Sequence, residues 1–180
     1  MAANIEVKAR AQDWDRLHAA AKELADTSAG EVLEQLDTFF LVPAGRLKLR
    51  QLAPDRGELI FYQRPDEPGP KLSDYTITVT SCPSSLRDTL AQALGVCGEV
   101  RKRRWVFLSS RYGGHTRIHL DEVKGLGQYL ELEVVLQPGQ LPEDGERIAA
   151  KFRAALDIRE EDLIDCAYVD LLTAHSGGGL

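Results

Sequence analysis

Hydrophobic and polar residues alternate along several short stretches of the chain. In the first stretch, Ile5, Val7 and Ala9 are separated from one another by charged residues. A period of two residues is that of a β-strand with one apolar face and one polar face. Turn residues rich in Pro, Asp and Gly separate the stretches. About eight strands are predicted, at residues 4–11, 31–42, 46–52, 58–64, 74–80, 96–109, 117–121 and 129–136.

Three further segments have the spacing of amphipathic helices, with apolar residues three or four positions apart. Asp13 is a candidate N-cap for the first, and Pro83 or Ser84 opens the second. The helices are predicted at residues 14–25, 86–94 and 142–156, with a short helical piece after the third. Most strands are joined by hairpins, so the fold class predicted is α+β. The antiparallel sheet can close into a barrel that carries the helices on its outside.

Length and composition describe one domain of a soluble protein. The chain has 180 residues and 43% hydrophobic residues, and we predict one domain over residues 1–175 with a disordered Gly-rich tail at residues 176–180. Its three widely spaced cysteines form no C-x-x-C motif, which disfavours a disulfide framework and suits a reducing compartment. The chain has neither an apolar run of ~18–20 residues nor a signal peptide. A cytoplasmic protein without membrane contact is expected.

The charged residues are more informative about function than the overall composition. The formal net charge is −6, which argues against nonspecific binding to nucleic acid. Glu131 and Glu133 share one face of the last predicted strand, and neighbouring like charges repel each other unless a cation lies between them. The compensating cation can be a divalent metal or a Lys/Arg cluster. Water alone is the remaining alternative, as on a solvent-exposed charged face of a β-sandwich.

Basic residues are concentrated on the polar faces of other strands. Arg46, Lys48 and Arg50 form one row, and such a row is stabilised by an anion. On the sixth strand the inward pair is either Arg101 and Arg103 or the alternate residues, Lys102 and Arg104. The seventh strand presents Arg117, His119 and Asp121 on one face. Basic rows can hold a polyphosphate while carboxylates hold Mg²⁺ or Mn²⁺, so a barrel with this face inward would form a charged tunnel.

The order of these motifs resembles that of a known family. Residues 4–10 are similar to an E-x-E-x-K motif, although Asn4 occupies the first Glu position. The chain resembles the CYTH, or triphosphate tunnel metalloenzyme, family over residues 4–172, and within it the class IV adenylyl cyclase-like subgroup. Further similar segments are residues 45–50, 62–65, 69–75, 101–104, 117–121 and 130–133.

The resemblance implies an eight-stranded barrel whose charged lumen binds triphosphate together with Mg²⁺ or Mn²⁺. It implies that the metal ligands are Glu6, Asp121, Glu131 and Glu133. The catalytic residues that it implies are Glu6, Lys8, Arg117 and Glu133. The triphosphate ligands expected are Lys8, Arg10, Lys48, Arg50, Arg64, Lys71, Arg101, Arg103, Arg117 and His119. Because Asn4 lacks the charge of Glu, both one and two metal ions remain open.

The expected function is hydrolysis of inorganic tripolyphosphate or of a small organic or nucleoside triphosphate. Family members include triphosphatases of these kinds and adenylyl cyclases, which differ in whether water or a ribose hydroxyl attacks. The alternatives are therefore a class IV adenylyl cyclase that forms cyclic AMP and pyrophosphate, and a noncatalytic polyphosphate- or nucleotide-binding module. The expected partner is the small-molecule triphosphate, and the protein is expected to be a monomer or a homodimer.

Overall fold

The computed structural model describes residues 2–176 of the chain. Its strands are β1 (Ala2–Arg10), β2 (Glu31–Phe40), β3 (Arg46–Ala53), β4 (Arg56–Gln63), β5 (Lys71–Thr80), β6 (Val96–Ser109), β7 (His115–Val123) and β8 (Gly127–Val135). Its helices are α1 (Trp14–Leu24), α2 (Pro83–Leu94), α3 (Pro142–Ala155) and α4 (Tyr168–Ser176). None of the helices within residues 2–176 has the length and apolar character needed to cross a membrane.

The eight strands form one closed antiparallel barrel in the order β1-β5-β4-β3-β2-β6-β7-β8. Closure comes from β1, which pairs with β5 on one side and with β8 on the other. In this register Glu6 lies opposite Lys71 on β5 and opposite Glu133 on β8. The predicted α+β barrel is confirmed, and closure leaves no unpaired sheet edge.

The apolar faces of the strands point outward and are covered by helices. On β1 and on β6 to β8, this face packs under α1 and α3. Gly145 allows α3 to approach closely, because a Cβ atom there would lie 2.5 Å from Ile5 Cγ1. The main hydrophobic core therefore lies outside the barrel, and the polar faces of the same strands line its interior.

The segment that follows α3 covers one end of the barrel. Ile164, Ala167 and Tyr168 are buried against Tyr129 and Val123, which extend the inner faces of β8 and β7. We call the end of the barrel that this segment covers the closed end. Helix α4 continues from the segment and includes Ser176, whereas residues 177–180 of the predicted tail lie outside the described part of the chain. The short helical piece predicted after the third helix corresponds to a 3₁₀ turn at Glu160–Asp162, whereas no helix is predicted from the sequence at the position of α4.

Candidate functional site

The barrel encloses a cavity of about 330 Å³ that extends from Glu31 at the start of β2 to Tyr168 at the closed end. Its lining includes seven Lys or Arg residues and six Asp or Glu residues, so opposite charges are concentrated in a small volume. The predicted site residues that line it are Glu6, Lys8, Lys48, Arg50, Arg64, Arg117, His119, Glu131 and Glu133.

One wall of the cavity carries the acidic pair together with a histidine. His119 on β7 lies directly opposite Glu131 on β8, and Glu133 follows two residues later on the same face. The Nδ1 atom of His119 lies 3.5 Å from Oε1 of Glu131 and 4.0 Å from Oε1 of Glu133. One ligand atom from each of the three residues lies within 4.8 Å of the others. We call these three residues the acidic group.

Basic residues hold the remaining oxygen atoms of the acidic group. Arg117 Nη1 lies 3.1 Å from Oε2 of Glu133, and Lys8 Nζ lies 3.4 Å from Oε2 of Glu131. Burial alone would raise the pKa of Glu131, but Arg104 and Lys8 hold it well below its usual range. Glu131 is therefore an ionised carboxylate inside the barrel, as a metal ligand must be.

The opposite wall gathers three cations around one buried carboxylate. Asp37 on β2 accepts two hydrogen bonds of 2.8 Å from Arg50. Lys48 and Lys102 lie 3.3 Å and 3.4 Å from its Oδ2 atom. Burial opposes the ionised form of Asp37, but Arg50, Lys102 and Lys48 keep its pKa well below the usual range. We call these four residues the cationic group.

Lys102 differs from the other cations in how strongly burial affects it. Burial lowers its pKa to about 7, and the nearby Asp37 carboxylate only partly opposes this change. Its ammonium group also lies 5.4 Å from the centre of the Tyr168 ring. The charge of the cationic group therefore changes near neutral pH.

Two of the predicted metal ligands have other close partners. The Asp121 carboxylate accepts two 2.7 Å hydrogen bonds from Arg104 and a 2.8 Å hydrogen bond from the Tyr168 hydroxyl. Glu6 lines the cavity, but its Oε1 atom lies 3.7 Å from Arg64 and 3.9 Å from Lys8. Neither belongs to the acidic group. The Asp121 carboxylate is thus the partner of Arg104 and Tyr168 in this structure, and its role as a metal ligand stays a prediction.

Lys71 is buried on the inner face of β5, and its ammonium group binds the segment at the closed end. It donates hydrogen bonds of 3.1 Å to the carbonyl oxygens of Ile164 and Asp165. Burial lowers its pKa to about 8. In this structure the ammonium group is therefore engaged by these carbonyls, and its contact with triphosphate stays a prediction.

Three predicted triphosphate ligands, Arg10, Arg101 and Arg103, do not line the cavity in this structure. Arg10 is exposed at the end of β1, where it donates a 3.2 Å hydrogen bond to the Tyr129 hydroxyl. Arg101 and Arg103 are exposed on the outside of β6, and Arg103 pairs there with Glu34. Because successive side chains of a strand point to opposite faces, the inner positions of β6 are taken by Lys102 and Arg104, the other pair that the sequence allows.

That alternate pair, Lys102 and Arg104, is buried in the cavity. Four consecutive basic residues do not show which two point inward. Trp105 and Phe107 indicate the orientation, since they pack on the outer core and odd-numbered residues of β6 share their face.

Asp37 is a site residue that the sequence does not reveal, because its partners come from other strands and no local pattern marks them.

The acidic group fits a divalent cation. Two carboxylates and an imidazole are common metal ligands, and the Nδ1 atom of His119 finds no hydrogen-bond partner among residues 2–176. The Oδ1 atom of Asn4, which also lines the cavity, is likewise without a partner in the described chain. Both residues are only 4% exposed, and buried polar atoms of this kind call for a ligand or another explanation.

Solved structures with the same fold support this architecture. The PH1012 protein of Pyrococcus horikoshii OT3 is similar with a TM-score of 0.78 at 22% identity, over 94% of this chain and 99% of that chain. A candidate adenylate cyclase of Vibrio parahaemolyticus has a TM-score of 0.72 at 18% identity, over 94% of this chain and 97% of its own. A candidate adenylate cyclase of Bacillus halodurans has a TM-score of 0.61 at 15% identity, over 95% and 98%. At these identities the similarity concerns the fold.

The family assignment comes from the sequence itself. Among curated protein sequences, none matches the chain. The profile of the CYTH domain, however, matches residues 2–168. Members of this family are metal-dependent enzymes that bind triphosphate substrates and act as triphosphatases or adenylyl cyclases. Since the match extends over nearly the whole of its length, the chain belongs to the CYTH domain family.

Proposed function

We propose that this protein is a divalent-metal-dependent triphosphatase that hydrolyses inorganic tripolyphosphate or a small organic triphosphate inside the barrel. One observation carries the proposal, namely that the acidic and cationic groups face each other across one cavity. Strands β8 and β3 are four positions apart in the eight-stranded barrel, so Glu131 and Glu133 lie across the cavity from Lys48 and Arg50. A triphosphate that bridges the two walls would meet cations on one side and metal ligands on the other.

In the proposed reaction, a water oxygen forms a bond to the terminal phosphorus while the bond to the bridging oxygen breaks. The products are orthophosphate and the shortened phosphate chain, and one proton leaves the attacking water. Lys48, Arg50 and Arg104 are suited to bind non-bridging oxygens and to stabilise the charge that develops on them. When bound to the acidic group, Mg²⁺ or Mn²⁺ would supply Lewis-acid chemistry. Either a wall carboxylate or Lys8 can orient the attacking water.

An assay of the pure protein with Mg²⁺ or Mn²⁺, using tripolyphosphate and ATP in parallel, tests this function. We expect metal-dependent release of phosphate without formation of cyclic AMP. Glu131→Gln should abolish turnover while the fold is retained, whereas Glu34→Gln, on the outside of the barrel, is the matched control. Formation of cyclic AMP with pyrophosphate from ATP would reject hydrolysis as the main activity.

A specific part of the cavity favours the cyclase as the second candidate. Leu33, Leu52 and Ile77 line the cavity on the side formed by β2, β3 and β5. Gln35 lies on the same side, is 5% exposed, and its Oε1 atom has no hydrogen-bond partner among residues 2–176. An apolar surface with one free amide suits a planar organic group such as a nucleobase. In a cyclase, the ribose 3′-hydroxyl of ATP attacks the α-phosphorus and pyrophosphate leaves.

A noncatalytic polyphosphate- or nucleotide-binding module is the third candidate, and Asn4 motivates it. The neutral amide of Asn4 reduces the negative charge near the acidic group by one relative to a Glu residue. A module of this kind would bind tripolyphosphate through Lys48 and Arg50 without metal-dependent turnover. The Glu131→Gln variant separates this candidate from an enzyme, because a binding module has no turnover to lose.

A further inference from the structure

We propose that His119 is a metal ligand, so that the acidic group forms a mixed nitrogen and oxygen site that selects Mn²⁺ and related transition-metal ions over Mg²⁺. From the sequence, His119 is instead expected to contact the triphosphate. The inference rests on the proposed function only in that the bound ion would serve the triphosphate chemistry. Binding of the ion can be measured without any substrate.

The position of the His119 imidazole supports this assignment. His119 is 4% exposed, and it lies on β7 directly opposite Glu131 on β8. The distance of 3.5 Å between Nδ1 and Oε1 of Glu131 is at the outer limit of a hydrogen bond and too long for a good one. The Nδ1 atom, which has no hydrogen-bond partner among residues 2–176 and faces two carboxylates, is placed to act as a ligand together with them.

Each carboxylate of the acidic group keeps one oxygen atom that can bind a cation. Arg117 holds Oε2 of Glu133 and leaves Oε1 on the side of His119. Lys8 holds Oε2 of Glu131 in the same way. Arg104 lies 3.3 Å from Oε1 of Glu131, but its two shorter bonds are to Asp121. A cation can therefore replace this longer contact while Arg104 keeps its main partner.

The ligand atoms of the acidic group favour Mn²⁺ over Mg²⁺. Mg²⁺ prefers sites made of oxygen ligands and water, whereas imidazole nitrogen favours transition-metal dications. The nearby Glu6 is engaged with Arg64 and Lys8, and Asn4 contributes an uncharged oxygen. A site with two carboxylates and one imidazole therefore has less attraction for Mg²⁺ than a cluster of four carboxylates would have.

The test compares metal binding to chelator-treated protein in the absence of any phosphate compound. Calorimetric titration of the wild-type protein should give an affinity for Mn²⁺ at least about tenfold higher than that for Mg²⁺. In His119→Gln the affinity for Mn²⁺ should fall at least about tenfold and that for Mg²⁺ much less. Glu133→Gln should weaken both metals. His115→Gln, at an exposed position of β7, is the matched control.

A spectroscopic measurement identifies the ligand directly. Pulsed electron paramagnetic resonance of the Mn²⁺-loaded protein should detect coupling to one imidazole ¹⁴N nucleus, and His119→Gln should remove it. Equal affinities for the two metals, or ¹⁴N coupling that survives in a His119→Gln variant with normal circular dichroism, would overturn the proposal. Because neither measurement involves turnover, failure of the triphosphatase assay would leave these results standing, and the reverse also holds.

Discussion

At the scale of single residues, Lys102 has a charge that changes near neutral pH. Its pKa is lowered by burial to about 7. The ammonium form therefore predominates well below this pH and is lost as the pH rises through it. We therefore predict that affinity for tripolyphosphate falls about 10- to 100-fold between pH 6 and pH 9, the effect of one charge-assisted hydrogen bond of ~1.5–3 kcal/mol. Isothermal titration at several pH values measures this.

Lys102→Arg is the matched variant for this prediction, because a guanidinium stays charged throughout the range. Ionisation of the phosphate ligand itself is common to both proteins, so the difference between their profiles reports on Lys102. A flatter profile in the variant is expected. Identical slopes in the two proteins would show that Lys102 keeps its proton up to pH 9 or does not contact the ligand.

The Asp121 carboxylate gives a second prediction at this scale. It is 0% exposed and satisfies both Arg104 and Tyr168. Replacement by Asn would leave the buried guanidinium without its anion, so Asp121→Asn should lower the free energy of unfolding by ~3–5 kcal/mol. Urea denaturation measures this loss. Glu34→Gln, which removes the partner of Arg103 on the surface, should change stability little.

The same variant tests whether Asp121 is a metal ligand. If Asp121 acts by orienting Arg104, then the folded Asp121→Asn protein should still bind Mn²⁺ with nearly wild-type affinity. Calorimetric titration at a temperature where the variant is folded provides the answer. A loss of Mn²⁺ affinity as large as that caused by Glu133→Gln would show that Asp121 is a metal ligand.

At the scale of elements, the sequence predicts a strand more easily than it predicts which face points inward. Glu6, Glu131 and Glu133 alternate with apolar residues, so the strand and its inner face could both be predicted. The sixth strand has four consecutive basic residues, and there only the packing of Trp105 and Phe107 against the outer core fixes the face.

The closed end shows a different limit of sequence analysis. Segment 164–168 has no strong periodicity, and its position depends on contacts with distant strands. Lys71 binds it through backbone carbonyls, and Lys8 lies 3.5 Å from the carbonyl oxygen of Cys166. Every residue has a backbone carbonyl group, so the sequence does not indicate that Lys71 and Lys8 contact this segment.

Helix α4 carries a prediction of its own. Asp170 accepts a 2.8 Å hydrogen bond from Arg46 and a 3.0 Å hydrogen bond from the backbone amide of Ala167. Asp170→Asn should loosen α4 while leaving the barrel intact, because the strands do not depend on this contact. We expect a loss of less than about 1 kcal/mol in unfolding free energy, since the pair is partly exposed.

Hydrogen exchange followed by mass spectrometry tests this prediction with local resolution. Exchange should accelerate in residues 164–176 and stay unchanged in β7 and β8. Asp66→Asn is the control, because it removes the other carboxylate bound by Arg46 and keeps the bond to α4. Equal acceleration across all strands would mean that α4 and the barrel unfold as one unit.

At the scale of the whole molecule, charge is divided between the surface and the interior. The chain has a formal net charge of −6, whereas the seven bases and six acids of the cavity lining leave a surplus of one positive charge when Lys102 is protonated. A triphosphate alone would therefore bring more negative charge than the lining balances, and a dication alone would bring excess positive charge. Among the three liganded states, the one with both ligands is closest to neutrality, so each ligand should favour binding of the other.

This cooperativity is measurable as a shift in the unfolding temperature. We expect a metal ion and tripolyphosphate together to stabilise the protein by more than the sum of their separate effects. A coupling energy of ~1–3 kcal/mol would correspond to roughly 2–12 °C beyond the sum, at ~2–4 °C per kcal/mol for a chain of this size. Glu133→Gln should reduce the excess, since it weakens the acidic group but leaves Lys48 and Arg50 in place. Additive shifts would show instead that the two walls bind their ligands independently, against the proposed bridging of the cavity by a metal-bound triphosphate.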